Sequence, residues 1–158
     1  MVTFVTGKMN SGKTTKLYEL YQETLEGDGF LAIKHMIDST VAEYDAKRLS
    51  ADEMFPYVVR DVYDDGSKPI LCQIGPYRLY EDAVRKMEKE LRRLIDYSIQ
   101  PIYLDEIGVL ELEGKCFATV LQEMVDSKLD LVLTVRRDLL ERVVERFHIK
   151  EYTIVETD

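Results

Sequence analysis

The sequence contains few of the residues that hold metals or form disulfides, with two cysteines and two histidines among 158 residues. Cys72 and Cys116 are far apart along the chain and form no C-x-x-C pair, so the sequence does not predict a structural zinc site. One disulfide between them is compatible with the spacing. We expect instead two buried thiols, kept reduced in a cytosolic protein.

Basic residues and long apolar runs are also scarce. The chain carries 21 Lys plus Arg against 30 Asp plus Glu, a formal net charge of -9. Because Lys and Arg provide the affinity for nucleic acids and anionic membranes, this balance argues against both partners. It does not exclude a small phosphorylated ligand, which a few local groups can bind. No apolar run approaches the ~18 residues that span a bilayer, and no apolar signal core precedes the strand-like run Val2–Thr6. We therefore expect a cytoplasmic, monomeric protein.

Strand-like and helix-like segments alternate along most of the chain. The β-branched run Val2–Thr6 predicts a buried strand, and the periodic segments Lys13–Leu25 and Leu79–Ile95 predict helices. This alternation is typical of a mostly parallel sheet with helices on both faces. From residue 38 to about residue 74 the helical period disappears, which predicts a small antiparallel β insertion. Further predicted elements are strands over Phe30–Ile37, Pro101–Asp105, Leu129–Val135 and Tyr152–Val155, a helix over Lys115–Val125, and a helix that Asp138 caps.

One segment carries a specific motif for phosphate binding. Residues 7–14 read GKMNSGKT, which fits G-x-x-x-x-G-K-[ST], and they follow a predicted strand and open a predicted helix. The glycines allow successive N–H groups to turn onto phosphate oxygens, and the positive end of the helix adds to that field. Lys13 should reach the β- and γ-phosphates, Thr14 should ligate Mg²⁺ through its hydroxyl, and Thr15 is a candidate α-phosphate contact. The predicted nucleotide-binding residues are Gly7, Lys8, Met9, Asn10, Ser11, Gly12, Lys13, Thr14 and Thr15.

A second motif is a pair of acids at the end of the apolar strand that begins at Pro101. Successive side chains of a strand point in opposite directions, so Asp105 and Glu106 should have different roles. Asp105 fits a Mg²⁺ ligand, directly or through water. Glu106 is then available to orient or deprotonate an attacking water molecule. The alternative is two solvated acids at a strand end, which the nearby phosphate-binding motif disfavours.

The adjacent pair of acids is typical of the ASCE division of P-loop proteins. In that division a further strand lies between the P-loop strand and the acid-bearing strand, and Leu129–Val135 is the natural candidate. Thr134 in this strand either faces the water or γ-phosphate, or is an interior threonine. Arg136 and Arg137 follow at the edge where ligands of parallel sheets bind. One of them could offset charge on the γ-phosphate, and we predict that Arg136 is this catalytic residue, with Arg137 as the other candidate. The alternative is a surface arginine or an ion pair with Asp138.

Together these segments resemble a known family, the small stand-alone nucleoside-triphosphatases of thermophiles. The vertebrate member of this family is the cancer-related nucleoside-triphosphatase. The resemblance implies a three-layer, RecA-like P-loop domain over residues 1–158. It also implies Mg²⁺-dependent hydrolysis of ribonucleoside triphosphates such as ATP and GTP to diphosphates, with loose base selection. The family's acid pair corresponds to Asp105 and Glu106, and its arginine corresponds to Arg136. The resemblance is carried by GKMNSGKT at 7–14, IGPY at 74–77, LDEIG at 104–108, LEL at 110–112 and TVR at 134–136.

Two other functions remain open from the sequence. The segment Met9–Thr14 also resembles thymidine kinases of the zinc-containing type, which suggests a small-molecule kinase. Those enzymes need a four-cysteine zinc lobe, whereas this chain has only two cysteines. The pair Lys34–His35 resembles the corresponding part of the guanine-nucleotide-binding protein of molybdenum-cofactor synthesis. This resemblance suggests a nucleotide-binding accessory protein with little turnover. For His35, an ordinary strand histidine is the favoured interpretation. Tyr77 either packs on the phosphate loop or lines the nucleotide pocket.

Overall fold

The structure is a computed structural model that describes residues 1–157; Asp158, the end of the predicted domain, lies outside the described residues. Among the helices of this part of the chain, none has both the length and the apolar character needed to cross a bilayer. The strands are β1 (Val2–Gly7), β2 (Asp28–Ile37), β3 (Thr40–Arg48), β4 (Met54–Arg60), β5 (Ile70–Ile74), β6 (Tyr77–Tyr80), β7 (Ile102–Ile107), β8 (Leu131–Arg136) and β9 (Tyr152–Thr157). The α-helices are α1 (Lys13–Thr24), α2 (Glu81–Asp96), α3 (Val109–Leu112), α4 (Ala118–Asp126) and α5 (Leu140–Arg146).

The nine strands form one sheet, in the order β5-β6-β4-β3-β2-β7-β8-β1-β9. Strands β2, β7, β8, β1 and β9 pair in parallel, and β3, β4, β6 and β5 continue the sheet beyond β2 in antiparallel pairs. This arrangement confirms the predicted α/β class, with a parallel sheet and an antiparallel part. Strand β8 lies between β7 and β1, which is the position predicted for the additional strand.

The antiparallel part extends further than the predicted insertion over residues 38–74. It includes β6, so Leu79 and Tyr80, which were predicted to begin a helix, belong to a strand. A run of four residues fits a helical stripe and a strand equally well. Pairing decides between them, because Leu79 lies opposite Val58 of β4 and Cys72 of β5. Helix α2 accordingly begins at Glu81.

Two predictions near the other helices were also wrong in detail. The helix predicted from Lys115 begins at Ala118, and the short helix α3 before it was not predicted. Asp138 does not cap a helix, because a 3₁₀ turn over Arg137–Leu139 precedes α5 and no side chain caps that helix. The Asp138 carboxylate instead binds Arg136.

Helices cover both faces of the sheet, since successive residues of each central strand point to opposite sides. On one face, α1 buries Leu17 and Tyr21 against side chains such as Val5 and Tyr103. On the other face, α2, α4 and α5 pack on a larger cluster that contains Phe4 and other fully buried side chains. This three-layer packing brings the first turn of α1 to the carboxyl ends of β1, β8 and β7, where the predicted site residues lie.

Candidate active site

The phosphate loop joins β1 to α1 in a tight turn that depends on its glycines. Gly12 precedes the helix with φ +87°, in the left-handed region that favours glycine. A side chain at Gly7 would collide with Ser11 and Thr157, whose hydroxyl oxygens are 2.7 Å apart. The N–H of Lys16 donates to the Gly12 carbonyl at 3.0 Å. The N–H groups before Lys16 therefore form the open end of the helix, which is suited to an anion.

Lys13 lies inside this loop, where its ammonium group donates to the Lys8 carbonyl oxygen at 2.7 Å. Burial lowers the pKa of Lys13, and the nearby carboxylates of Glu106 and Asp105 oppose that shift. Lys8, Met9 and Asn10 of the loop are exposed, Met9 to 65%. The loop therefore presents one partly desolvated cation with a single main-chain partner that a phosphate oxygen could replace.

Asp105 is buried and accepts three hydrogen bonds. Thr14 donates its hydroxyl to Oδ2 at 2.7 Å, Thr134 donates its hydroxyl to Oδ1 at 2.5 Å, and the Ala32 N–H donates to Oδ2 at 3.0 Å. Burial raises the pKa of Asp105, while these hydrogen bonds oppose the increase. The two predicted metal ligands, Thr14 and Asp105, are therefore adjacent oxygen donors on neighbouring elements.

This donor set fits Mg²⁺, which takes oxygen ligands and is usually held by one or two protein groups together with phosphates and water. Within residues 1–157 there is no group of three or more His, Cys, Asp or Glu side chains that could hold a metal. The Thr14 hydroxyl and the Asp105 carboxylate could hold such an ion together with a phosphate and water.

Glu106 lies on an irregularity of β7. The pairing of β7 with β8 shifts register between Leu104 and Ile107, and Glu106 has φ +70°, a backbone conformation that costs a non-glycine residue about 1–3 kcal/mol. Its side chain lines the cleft next to Lys13, where water can reach it. The surrounding walls desolvate the carboxylate and Asp105 repels it, and together they raise the pKa of Glu106 to about 7.

Thr134 is a positioning residue for both acids. It is 1% exposed, donates to Asp105, and accepts the Glu106 N–H at 2.6 Å. Thr134 is thus an interior residue that also contributes to the wall of the cleft, so the choice between the two interpretations stays open. The Thr134 hydroxyl thus fixes the carboxylate of Asp105 and the backbone of Glu106. It stabilises the irregular end of β7, where regular strand alternation would direct the two acids to opposite faces.

Arg136 ends β8 on the rim of the same cleft. Its guanidinium donates from two nitrogens to both carboxylate oxygens of Asp138, each at 3.2 Å, and the side chain is 36% exposed. An exposed ion pair of this kind is weak, typically about 0–1 kcal/mol, so a bound anion can compete with it. Arg137 lies outside the cleft lining and forms an ion pair with Glu156 at 3.8 Å.

Sequence reasoning missed the contribution of Lys34 to this cleft. Its ammonium donates to the Asn10 side-chain oxygen at 2.6 Å and so connects β2 to the phosphate loop. His35 points to Asp45 instead, with 2.8 Å between the ring nitrogen and the carboxylate. The sequence signal that could have indicated this role is the position of Lys34. It lies two residues after Ala32, in a strand next to the acid-bearing strand.

The cleft is part of a single cavity of about 460 Å³ that extends from the phosphate loop beneath the antiparallel strands. Its charged end is lined by Lys13, Glu106 and Arg136. We call the opposite part, toward Tyr44 and Tyr77, the side pocket; the rings of these two tyrosines are edge to face at 5.9 Å. Tyr77 therefore belongs to a cavity wall, and its hydroxyl accepts a hydrogen bond at 2.9 Å from the guanidinium of Arg60, the last residue of β4.

Glu111, from the LEL segment, fixes the loop that follows the acids. Its carboxylate accepts the N–H of Gly108 at 2.8 Å and the N–H of Phe117 at 3.3 Å. Burial raises the pKa of Glu111 to about 7, against the effect of these hydrogen bonds. The thiol of Cys116 lies near this carboxylate and near the thiol of Cys72; both cysteines are free thiols and half-buried.

The raised pKa of Glu111 predicts a specific pH dependence of stability. The carboxyl binds its proton more tightly in the folded chain (pKa about 7) than when unfolded (4.5), so its contribution is present below pH 4.5 and is lost as pH rises through 7. Urea unfolding from pH 4.5 to 7.5 should show that Glu111→Gln removes a decline on the order of 3 kcal/mol. Glu113→Gln, at an exposed acid, is the control, and equal slopes in wild type and Glu111→Gln would contradict the prediction.

The fold and this cleft together define a class of protein. A phosphate loop on β1, acids on β7 and an intervening β8 are the arrangement of P-loop hydrolases of nucleoside triphosphates. A family model described as NTPase matches residues 2–158 of the chain. The chain belongs to this family of nucleoside-triphosphatases, and it is a hydrolase, as its resemblance to stand-alone nucleoside-triphosphatases implied.

Individual relatives agree with this assignment. The chain is 26% identical over 145 residues to the nucleoside-triphosphatase THEP1 of Thermotoga sp. (strain RQ2), covering 87% of this chain and 75% of the relative. Its fold is similar to the crystal structure of THEP1 from the hyperthermophile Aquifex aeolicus, with TM-score 0.71, 16% identity, and coverage of 99% and 90% of the two chains. It is also similar to the solution structure of a human cancer-related nucleoside triphosphatase, with TM-score 0.67, 22% identity, and coverage of 99% and 88%.

Proposed function

We propose that the protein hydrolyses nucleoside 5'-triphosphates, including ATP and GTP, to diphosphate and phosphate in a reaction that requires Mg²⁺. The observation that carries the proposal is the contact between Thr14 and Asp105, which places one hydroxyl and one carboxylate beside the phosphate loop. Residues 7–15 bind the phosphates through main-chain N–H groups and the opening of α1. A single catalytic domain over residues 1–158 provides all of these groups.

Lys13 and the metal ligands bind and orient the terminal phosphates. The ammonium of Lys13 exchanges the Lys8 carbonyl for oxygens of the β- and γ-phosphates. Thr14 and Asp105 would hold Mg²⁺, which would neutralise charge on the phosphate oxygens. Thr134 and the Ala32 N–H keep the Asp105 carboxylate in place for this role.

Glu106 activates the attacking water. Its carboxylate lies in the cleft beside Lys13, where it can accept a proton from a water molecule in line with the γ-phosphate. Arg136 releases Asp138 and binds the γ-phosphate, which offsets the charge that develops during transfer. The hydrolytic assignment depends on Glu106, because nucleotide binding alone would not require a carboxylate at this position.

Removal of the metal tests the proposal directly. Without Mg²⁺ the charges of Asp105, Glu106 and the triphosphate are no longer offset, so phosphate release from ATP or GTP should fall at least about 100-fold in EDTA. Added Mg²⁺ should restore it. The measurement is phosphate release with no other acceptor present, across all four ribonucleotides. Release that persists unchanged in EDTA would contradict the metal assignment.

A further inference from the structure

The side pocket is space that hydrolysis does not require. It belongs to a cavity of about 460 Å³ whose charged end, beside Lys13 and Glu106, would hold the γ-phosphate and the attacking water. Away from the charged end its walls are largely apolar. A site that only activated water would need the charged end alone. Apolar wall residues include Val41, Val58, Ile74, Leu79, Val109 and Leu139.

The pocket lies on the γ-phosphate side of the phosphate loop. The loop is on β1, Glu106 is on β7, and the aromatic wall of Tyr44 and Tyr77 is on β3 and β6, which lie further along the sheet in the same direction. If the γ-phosphate meets Glu106, the α-phosphate and nucleoside extend back along α1 toward Thr15. The nucleoside of the substrate would then leave the side pocket free.

We propose that the side pocket binds a second substrate, a small alcohol with an aromatic or aliphatic body, whose hydroxyl accepts the γ-phosphoryl group in place of water. This inference rests on the proposed function, because it uses the same Lys13, Glu106 and Mg²⁺ ligands. The apolar body packs against the aliphatic walls and the edge-to-face pair of Tyr44 and Tyr77. The hydroxyl lies at the charged end, next to Glu106.

The transfer has the same chemistry as hydrolysis, with a different nucleophile. A bond forms between the alcohol oxygen and the γ-phosphorus, and the bond from that phosphorus to the β–γ bridging oxygen breaks. The alcohol proton passes to the Glu106 carboxylate, and the nucleoside diphosphate leaves. The products are a phosphate monoester and a nucleoside diphosphate, and no oxidant or reductant is required.

Benzyl alcohol is a suitable probe, because it combines an aromatic body with a single hydroxyl. The protein is incubated with ATP, Mg²⁺ and increasing benzyl alcohol, and both benzyl phosphate and inorganic phosphate are measured. We expect benzyl phosphate to form with saturation, at the expense of inorganic phosphate and without competition with ATP. Glycerol at equal concentration should give at least about tenfold less ester, since it lacks the apolar body that the pocket selects.

Two matched substitutions locate the effect. Val41→Phe fills the pocket and should lower the ratio of ester to inorganic phosphate about tenfold. Val62→Phe makes the same change at a side chain that is 75% exposed outside the pocket, and it should leave the ratio and hydrolysis unchanged. Ile74→Phe, on another wall of the pocket, provides the same test if Val41→Phe does not fold.

Several results would overturn the inference while leaving hydrolysis intact. These are phosphate release with no ester, inhibition by benzyl alcohol that competes with ATP, and ester that rises linearly with alcohol and equally in Val41→Phe and Val62→Phe. Competition with ATP would assign the pocket to the substrate's own nucleoside. If ATP yields no phosphate when alcohol is absent, the proposed function itself fails, and the two failures are therefore distinguishable.

Discussion

Glu106→Gln should lower the turnover of ATP hydrolysis by roughly 100- to 10,000-fold while nucleotide binding is retained. The amide has nearly the shape of the carboxylate but cannot accept a proton from water. The hydrogen bond to the Thr134 hydroxyl is donated by the backbone N–H of Glu106 and not by its side chain, so it survives the substitution. Steady-state phosphate release gives the turnover, and titration with a fluorescent ATP analogue in the presence of Mg²⁺ gives the affinity.

Two variants make this prediction specific to the position of the carboxylate. Glu113→Gln changes an exposed acid that pairs with Lys115 at 3.7 Å, and it should leave turnover within about twofold of wild type. Glu106→Asp keeps a proton acceptor but withdraws it from the cleft, so an intermediate rate is expected. Full turnover in Glu106→Gln with unchanged affinity would remove this residue from the mechanism.

Much of the candidate site could be predicted from sequence because its chemistry depends on neighbouring residues. A phosphate loop needs two glycines, a lysine and a hydroxyl at fixed spacing, and all four lie within residues 7–14. The adjacent acids and the strand that separates them from β1 follow from a local apolar run and the sequence of strands. These are short-range features. The structure places Lys13, Glu106 and Arg136 in one cleft and brings Thr14 into contact with the buried Asp105.

The features that could not be predicted from the sequence depend on contacts between distant segments of the chain. Lys34 enters the cleft because it binds Asn10, which is 24 residues away along the chain. The left-handed backbone of Glu106 depends on Thr134 of the next strand, which no local pattern around residue 106 reports. Strand β6 is likewise defined by partners in β4 and β5 and not by its own four residues.

Nucleotide binding itself should be lost in Lys13→Ala. A charge-assisted bond to a phosphate contributes about 1.5–3 kcal/mol, so we expect the Kd for ATP to rise by at least roughly 10- to 100-fold and phosphate release to fall with it. Lys13 is already half-buried and its ammonium has a main-chain partner inside the loop, so little reordering is needed when phosphate binds. The Kd is measured by titration calorimetry with a non-hydrolysable ATP analogue and Mg²⁺.

Lys16→Ala is the matched control, because Lys16 lies on the same helix and pairs with Glu19 at 3.8 Å. It removes the same charge from the chain, so a general effect of net charge on ATP affinity would appear in both variants. We expect an affinity within about twofold of wild type for Lys16→Ala. Wild-type affinity in Lys13→Ala would refute the phosphate-loop assignment. Equal losses in the two variants would mean that long-range charge, and not contact with Lys13, attracts the nucleotide to this acidic protein.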